Sequence, residues 1–253
     1  AERLKEIINK HRKNDVNFEI ISNPEFLAEG TAIRDLFKSD RVLIGSDQTK
    51  VGLAAMESLV NIYKKWIPEE RIIKMNIWSS ELSKLASNAM LAQRISSINS
   101  LSAITEKTEA KINELSLAIG KDHRIGDKFL NVSPGFGGSC FKKDILNLVY
   151  ICRQYGLEEV AEYWHQVVKI NDYQRKRIFN IVKSSLVELK NKKISILGWS
   201  FKKDTNDTRE SSAIPISSEL IINGASLKIY DPLAEKKQII QDLTTYLESK
   251  NLN

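Results

Sequence analysis

The 253 residues carry 38 Lys and Arg against 32 Asp and Glu, a formal charge of +6, and are 42% apolar and 28% charged. Such a balance excludes a disordered tail and a collagen-like repeat; no run of about 18 apolar residues could span a bilayer, and the opening AERLKEIINKHRKND has no apolar centre of the kind a secretory signal needs. Two cysteines are too few for a disulfide framework, so free thiols in a reducing, cytoplasmic setting are expected, and the mild positive excess suits either a solvated surface or an anionic ligand such as a nucleotide, with no basic stripe interleaved with aromatics to suggest nucleic acid.

In chain order, Leu4, Ile7 and Ile8 stand at helical spacing. Phe18 to Ile21 predicts a short strand stopped by Ser22-Asn23-Pro24. Val42 to Gly45 predicts a second strand. Leu53, Met56, Leu59, Val60 and Tyr63 mark one face of a helix from Gly52 to Trp66, and Ile72 and Ile73 open a third strand. Strands separated by helices imply a parallel α/β layer.

The pattern then changes. From Ser79 to Glu106 there is neither Pro nor Gly, and Leu82, Leu85, Ala86, Ala89, Ile95, Ile98, Leu101 and Ile104 keep helical phase. Ser79 or Ser80 is the expected N-cap, and the helix would run roughly 40 Å at about 1.5 Å per residue, a connecting spine. A shorter helix, Ile112 to Ile119, ends at Gly120, and a loop follows from Lys121 to Ser139. Cys140 to Tyr155 is predicted helical, ended by Gly156, and Glu158 to Lys190 forms one or two more helices. The remainder returns to α/β: strand Lys193–Gly198, helix Ala213–Ile222 stopped by Asn223-Gly224, and strand Leu227–Asp231 before Pro232, one β-α-β unit followed by an unfinished continuation.

The stretch with the most chemistry is Gly135-Phe136-Gly137-Gly138-Ser139-Cys140-Phe141-Lys142-Lys143-Asp144. A glycine-rich loop delivers a cysteine to the first turn of a helix, where exposed N–H groups, the helix dipole and two lysines favour an anion. In such a setting a free thiol near pKa 8.5 can fall to about 3.5–7.5, and the glycines let a ligand approach the backbone. Cys152, inside an apolar helix face, reads as core. The three histidines, His11, His123 and His165, occupy no context that suggests a protease dyad, and two distant cysteines do not make a zinc site. Lys84 and Asn88, four apart on one helix face, can address one ligand together; each alone is more often a surface ion pair or a helix-face amide.

Four motifs in order carry a resemblance. They are Asn23-Pro24-Glu25-Phe26-Leu27-Ala28-Glu29-Gly30, Ser80-Glu81-Leu82-Ser83-Lys84-Leu85-Ala86-Ser87-Asn88-Ala89, the loop through Cys140, and Phe201-Lys202-Lys203-Asp204-Thr205-Asn206-Asp207-Thr208-Arg209-Glu210-Ser211. Together they make the chain similar to the UDP-glucose 6-dehydrogenases of the nucleotide-sugar dehydrogenase family, over essentially its whole length. The resemblance implies an α/β architecture in three parts: residues 1–77 as the end of an NAD-binding Rossmann-like domain, 78–190 as a central helical dimerisation domain, and 191–253 as the start of a UDP-sugar-binding Rossmann-like domain. It implies a four-electron oxidation of UDP-glucose to UDP-glucuronate by NAD, through a thiohemiacetal and a thioester on the nucleophile Cys140. Lys84 and Asp144 match residues that shuttle protons and stabilise the oxyanion, Glu25 a carboxylate linked to thioester hydrolysis, and Asn88 a substrate and oxyanion contact. Phe26, Leu27, Ala28 and Glu29 match the loop beside sugar and cofactor. Phe129 and the segment through Gly137 match the loop that holds UDP. Lys202 matches a nucleotide-side contact, where a cation suits a diphosphate; Lys143 and Arg209, with Glu29, match cofactor contacts. Arg124 resembles an arginine that reaches the UDP site of a neighbouring subunit, so a homodimer or higher homo-oligomer through the central helices is implied.

The sequence departs from that pattern at its flanks. It contains no G-x-G-x-x-G after a strand, and the family's upstream catalytic threonine and a later substrate arginine are missing. The expectation is a piece of a longer product, inactive by itself. A dehydrogenase for a GDP- or N-acetylated sugar, and a non-catalytic helical association module, are the competing readings.

Overall fold

The computed structural model describes residues 1–13 and 16–250. The chain divides into two compact units, Ala1–Ser87 and Asn88–Asn253.

In the first unit the order is α1 (Glu2–His11), α2 (Ala32–Phe37), β1 (Val42–Ser46), α3 (Lys50–Tyr63), β2 (Ile72–Asn76) and the beginning of α4 (Ile77–Thr105). β1 and β2 pair in parallel, Val42 opposite Ile72 and Ser46 opposite Asn76. All five residues of β1 are buried, as a strand covered on both faces requires. Met56 and Val60 of α3 pack with Val42, Ile44, Ile67 and Ile72 to form the core of this unit. Thr49 starts α3 by accepting the Gly52 N–H, 3.0 Å, in a side-chain cap.

Three expectations are corrected here. The segment Phe18–Ile21 is not a strand: the chain makes one antiparallel bridge, Ser22 to Gly45. Its continuation is taken over by a side chain, because Asn23 Nδ2 donates to the Leu43 carbonyl at 2.8 Å, and Pro24 has no N–H to extend a ladder. Next, α3 stops at Tyr63, three residues before Trp66. Finally, α4 begins at Ile77, and the cap is Asn76, whose Oδ1 accepts the Ser79 N–H at 2.8 Å. Ser80 is instead fully buried, its hydroxyl donating to the Ser22 carbonyl. The short helix α2 has no counterpart in the sequence reading.

The second unit takes in the rest of α4, then α5 (Ile112–Gly120), α6 (Phe141–Gln154), α7 (Glu158–Leu186), β3 (Lys193–Leu197), α8 (Ala213–Ile222), β4 (Ser226–Tyr230) and α9 (Lys236–Ser249). α7 is a single helix that ends at Leu186 rather than Lys190. Ala89, Ala92, Phe136, Ile145, Leu148, Val149, Cys152, Ala161, Val167 and Val168 form one core, in which α6 packs on α7. β3 and β4 pair in parallel, Lys193 opposite Ser226. One face of this pair packs on α7 and α8 through Ile194, Ile196 and Leu227 with Phe179, Ile216 and Leu220. The continuation past β4 is α9, packed through Ile239 on Trp199, Ile214 and Ala234.

Candidate active site

Cys140 is the N-cap residue of α6 and is exposed. Its carbonyl accepts the Asp144 N–H at 2.8 Å, closing the first turn. The sulfur lies 3.6 Å from the Ser139 hydroxyl. Cys152, in contrast, is buried in the helical core. Asp144, one turn beyond the cysteine, is 7% exposed, and Asn88 is 8% exposed. Asn88 Nδ2 donates to Asp144 Oδ2 at 2.6 Å, so the buried carboxylate has a partner. A solvent-facing thiol therefore stands at the helix N-terminus, one turn before a buried carboxylate fixed by an amide.

The loop that presents Cys140 is held from beneath by α7. Asn171 Oδ1 accepts the Phe136 N–H at 2.8 Å and its Nδ2 donates to the Phe136 carbonyl at 3.1 Å, the pairing a neighbouring strand would make. Gln174 donates to the Ser133 carbonyl at 2.7 Å, while Asn99 of α4 accepts the Ser133 N–H at 2.9 Å. Arg175 reaches Phe136 and further to Glu210 and Ser212. These residues were not picked out from the sequence. The signal was available: on α7, polar Asn171, Gln174 and Arg175 interrupt the apolar stripe of Val167, Val168 and Phe179, and a polar patch on a buried stripe announces a network. Gly137 and Gly138 complete the loop. A Cβ on Gly137 would lie 2.6 Å from the Glu210 carbonyl oxygen, and Gly138 has φ +81°, so both positions exclude larger residues.

Facing this loop is the segment after β3. Phe201 lies against Gly138. Lys202 is exposed with its ammonium 5.6 Å from the Phe201 ring centroid. Arg209 chelates Asp207, the closest approach being 2.7 Å. Lys142 pairs with Glu210 at 3.1 Å, and Lys143 is exposed on the first turn of α6. Phe129 adopts φ 61° and is partly exposed, a strained conformation for a bulky residue. Arg124 is bound to Asp122 at 2.6 Å on an exposed turn.

In the first unit, Lys84 of α4 donates to the Glu25 carbonyl at 2.7 Å and to its carboxylate at 3.0 Å. Burial pushes the Glu25 carboxyl up, but the N–H of Leu27 and then the Lys84 ammonium outweigh it and hold the group below the usual carboxylate range. Phe26 has two cations near its ring, Arg41 at 4.0 Å and Lys84 at 5.4 Å from the centroid. Leu27 donates its N–H to Glu25, and Ala28 donates to Asp35. Glu29 is exposed on the following turn. Behind the loop lies a cavity of about 400 Å³ lined by residues including Phe26, Arg41 and Tyr63. Thus Glu25, Phe26 and Lys84 come together within the first unit; within the second, Asn88 pairs with Asp144, one helical turn beyond Cys140. Among the described residues no cluster of His, Cys, Asp and Glu could hold a metal ion, and no helix is long and apolar enough to cross a membrane.

Three domain models of one family match in sequence order: the NAD binding domain of the UDP-glucose/GDP-mannose dehydrogenase family at residues 1–67, its central domain at 78–173 and its UDP binding domain at 195–252. The chain belongs to the UDP-glucose/GDP-mannose dehydrogenase family. The four motifs, read above as a resemblance, fall inside or beside those matches. Among curated members of the family, UDP-glucose 6-dehydrogenase 3 of Arabidopsis thaliana is 59% identical over 96% of this chain and 51% of its own length. UDP-glucose 6-dehydrogenase 1 of Oryza sativa subsp. japonica is 57% identical with the same coverage. The chain thus spans about half the length of the curated relatives it matches. Among solved structures, a UDP-glucose dehydrogenase from the archaeon Pyrobaculum islandicum superposes with a TM-score of 0.82 at 32% identity, covering 92% of this chain and 51% of that one. An NDP-N-acetyl-D-galactosaminuronic acid dehydrogenase from Methanosarcina mazei, 21% identical with a TM-score of 0.74 over 92% of this chain and 50% of that one, shares the fold.

Proposed function

We propose that this chain serves an NAD-dependent, four-electron oxidation of UDP-glucose to UDP-glucuronate with Cys140 as the covalent nucleophile. The observation that carries the reading is the exposed Cys140 thiol at the start of α6, one turn from a buried Asp144 held by Asn88. Two molecules of NAD, bound in succession, would each accept one of the two hydrides that leave carbon 6 of the sugar. The fit of NAD to these residues is partial: Lys143 and Arg209 offer cations suited to a diphosphate, whereas the 253 residues contain no G-x-G-x-x-G turn.

Once carbon 6 is an aldehyde, the Cys140 sulfur adds to it and the carbonyl oxygen becomes the thiohemiacetal oxygen. Asn88, with one amide N–H committed to Asp144, presents its other N–H to that oxygen as negative charge develops. Asp144 holds or passes the proton through water. Loss of the second hydride leaves a thioester, and water cleaves it to the carboxylate and returns the thiol. Glu25, kept ionised by its partners, is assigned to activating that water, and Lys84 to stabilising the oxyanion or relaying protons. Covalent capture keeps the aldehyde from escaping between the two oxidations.

Phe129, Gly137 and Lys202 are assigned to UDP, Phe26, Leu27, Ala28 and Glu29 to the sugar and cofactor side, and Glu29, Lys143 and Arg209 to the cofactor. Arg124, on an exposed turn, is assigned to the UDP site of a second subunit in a homodimer formed through the central helices, and the compartment is taken as cytoplasmic. The three-part division at residues 77/78 and 190/191 belongs to the same proposal.

The test is a calorimetric panel of UDP-glucose, UDP-N-acetylglucosamine and GDP-mannose. Preference for UDP-glucose, weakened by Lys202→Ala, supports the reading. Equal or tighter binding of GDP-mannose contradicts it.

A further inference from the structure

The loop that presents Cys140 and the loop after β3 are joined by one buried guanidinium. Arg175 sits on α7 and is 8% exposed. Its NH2 donates to the Phe136 carbonyl at 2.9 Å and to the Glu210 carbonyl at 2.7 Å. Its Nε donates to the Ser212 hydroxyl at 3.1 Å, and that hydroxyl donates to the Gly135 carbonyl at 3.3 Å. Its NH1 is 3.5 Å from the Asp172 carboxylate and 3.6 Å from that of Glu210. The fork donates to Phe136 of the glycine loop, to Glu210 and Ser212 of the facing segment, and to Asp172 of its own helix. The two segments also touch directly: Gly138 N–H donates to the Arg209 carbonyl at 2.8 Å, and Gly137 leaves no room for a Cβ against Glu210. Glu210 itself adopts φ 52°, an unfavourable conformation for a non-glycine residue that its surroundings must hold in place.

We infer that Arg175 is a positioning residue: it transmits the position of the 202–210 segment, in which the proposed function assigns Lys202 to UDP and Arg209 to the cofactor, to the loop that sets the Cys140 thiol at the start of α6. A shift of Glu210 or Arg209 on binding a diphosphate moves an oxygen on the same guanidinium that holds Phe136. Arg175 thus donates to both segments from one side chain. Lysine at this position would keep the charge but lose the planar fork, and a single ammonium cannot replace donors that diverge to four residues. The inference rests on the proposed nucleotide site.

The probe is UDP, which lacks the sugar that would cover the thiol directly. Carbamidomethylation of Cys140 is followed by peptide mass with and without saturating UDP, in the wild type, Arg175→Lys and Ser212→Ala. UDP binding is measured separately by calorimetry, and folding by helical circular dichroism and a cooperative melt. In the wild type UDP should change the alkylation rate by about fivefold, the scale of a modest coupling between sites. In Arg175→Lys, UDP should still bind but change the rate much less than in the wild type, leaving only what its contact with Gly137 produces directly; Ser212→Ala, which keeps the guanidinium and removes one partner, should fall between. An unaltered UDP effect in a folded Arg175→Lys overturns the inference, and so does wild-type binding without any effect on Cys140. Absence of UDP binding to the wild type instead overturns the functional reading on which it rests. If Arg175→Lys does not fold, a Ser212→Ala variant with the full wild-type response is the overturning result.

Discussion

Two polar pairs near the proposed chemistry have different surroundings, and that decides what each contributes. Asn88 and Asp144 are both buried, so Asn88→Ala leaves a carboxylate without its donor. The expected cost is about 1–3 kcal/mol in urea unfolding at neutral pH. Lys84 and Glu25 pair at 3.0 Å, but the Glu25 side chain is 58% exposed, so solvent screens the interaction. Lys84→Ala should change stability by less than about 1 kcal/mol. Equal effects of the two substitutions would show that the burial difference has been misjudged. The candidate residues themselves were legible in the sequence, because short motifs place Cys140, Asp144, Lys84 and Asn88 at fixed offsets. Their supporting residues were not: Arg175 and Asn171 lie far along the chain from the loop they hold, and a single sequence does not show that proximity.

Among the elements, the β3–α8–β4 unit depends on one carboxylate. Asp231, just past β4, accepts the N–H groups of Trp199 and Ser200 at 2.6 and 2.9 Å and those of Leu233 and Ala234 at 2.8 Å. Burial pushes its carboxyl up, but these four donors outweigh it and hold it well below the ordinary carboxylate range. A depressed native pKa contributes stability above the unfolded value of about 3.9 and loses it as pH falls through that value and below. Asp231→Asn should therefore cost about 2 kcal/mol at pH 7. The difference from wild type should shrink as pH falls from about 4 towards 3 in urea titrations; a difference independent of pH would contradict the assignment. The sequence marked this position only as a strand stop before Pro232. It likewise missed α2, which is too short for a periodic signal, and read Phe18–Ile21 as a strand because apolar content alone does not reveal that Asn23 takes over a ladder bond.

For the molecule as a whole, alternation of strand and helix signals identified both α/β portions, and the Pro- and Gly-free run identified α4. The mechanism reduces to a claim about one sulfur. Of the two cysteines, Cys140 is exposed and Cys152 buried, so a native alkylation experiment reads the first. The most direct measurement is the alkylation rate of Cys140 with UDP-glucose compared with the 6-aldehyde of UDP-glucose, the species the thiol is proposed to capture. The account predicts that the aldehyde protects Cys140 much more strongly than the alcohol, and that Asn88→Ala reduces this extra protection. Equal protection by alcohol and aldehyde, or alkylation of Cys152 as fast as Cys140 in the folded protein, would contradict it.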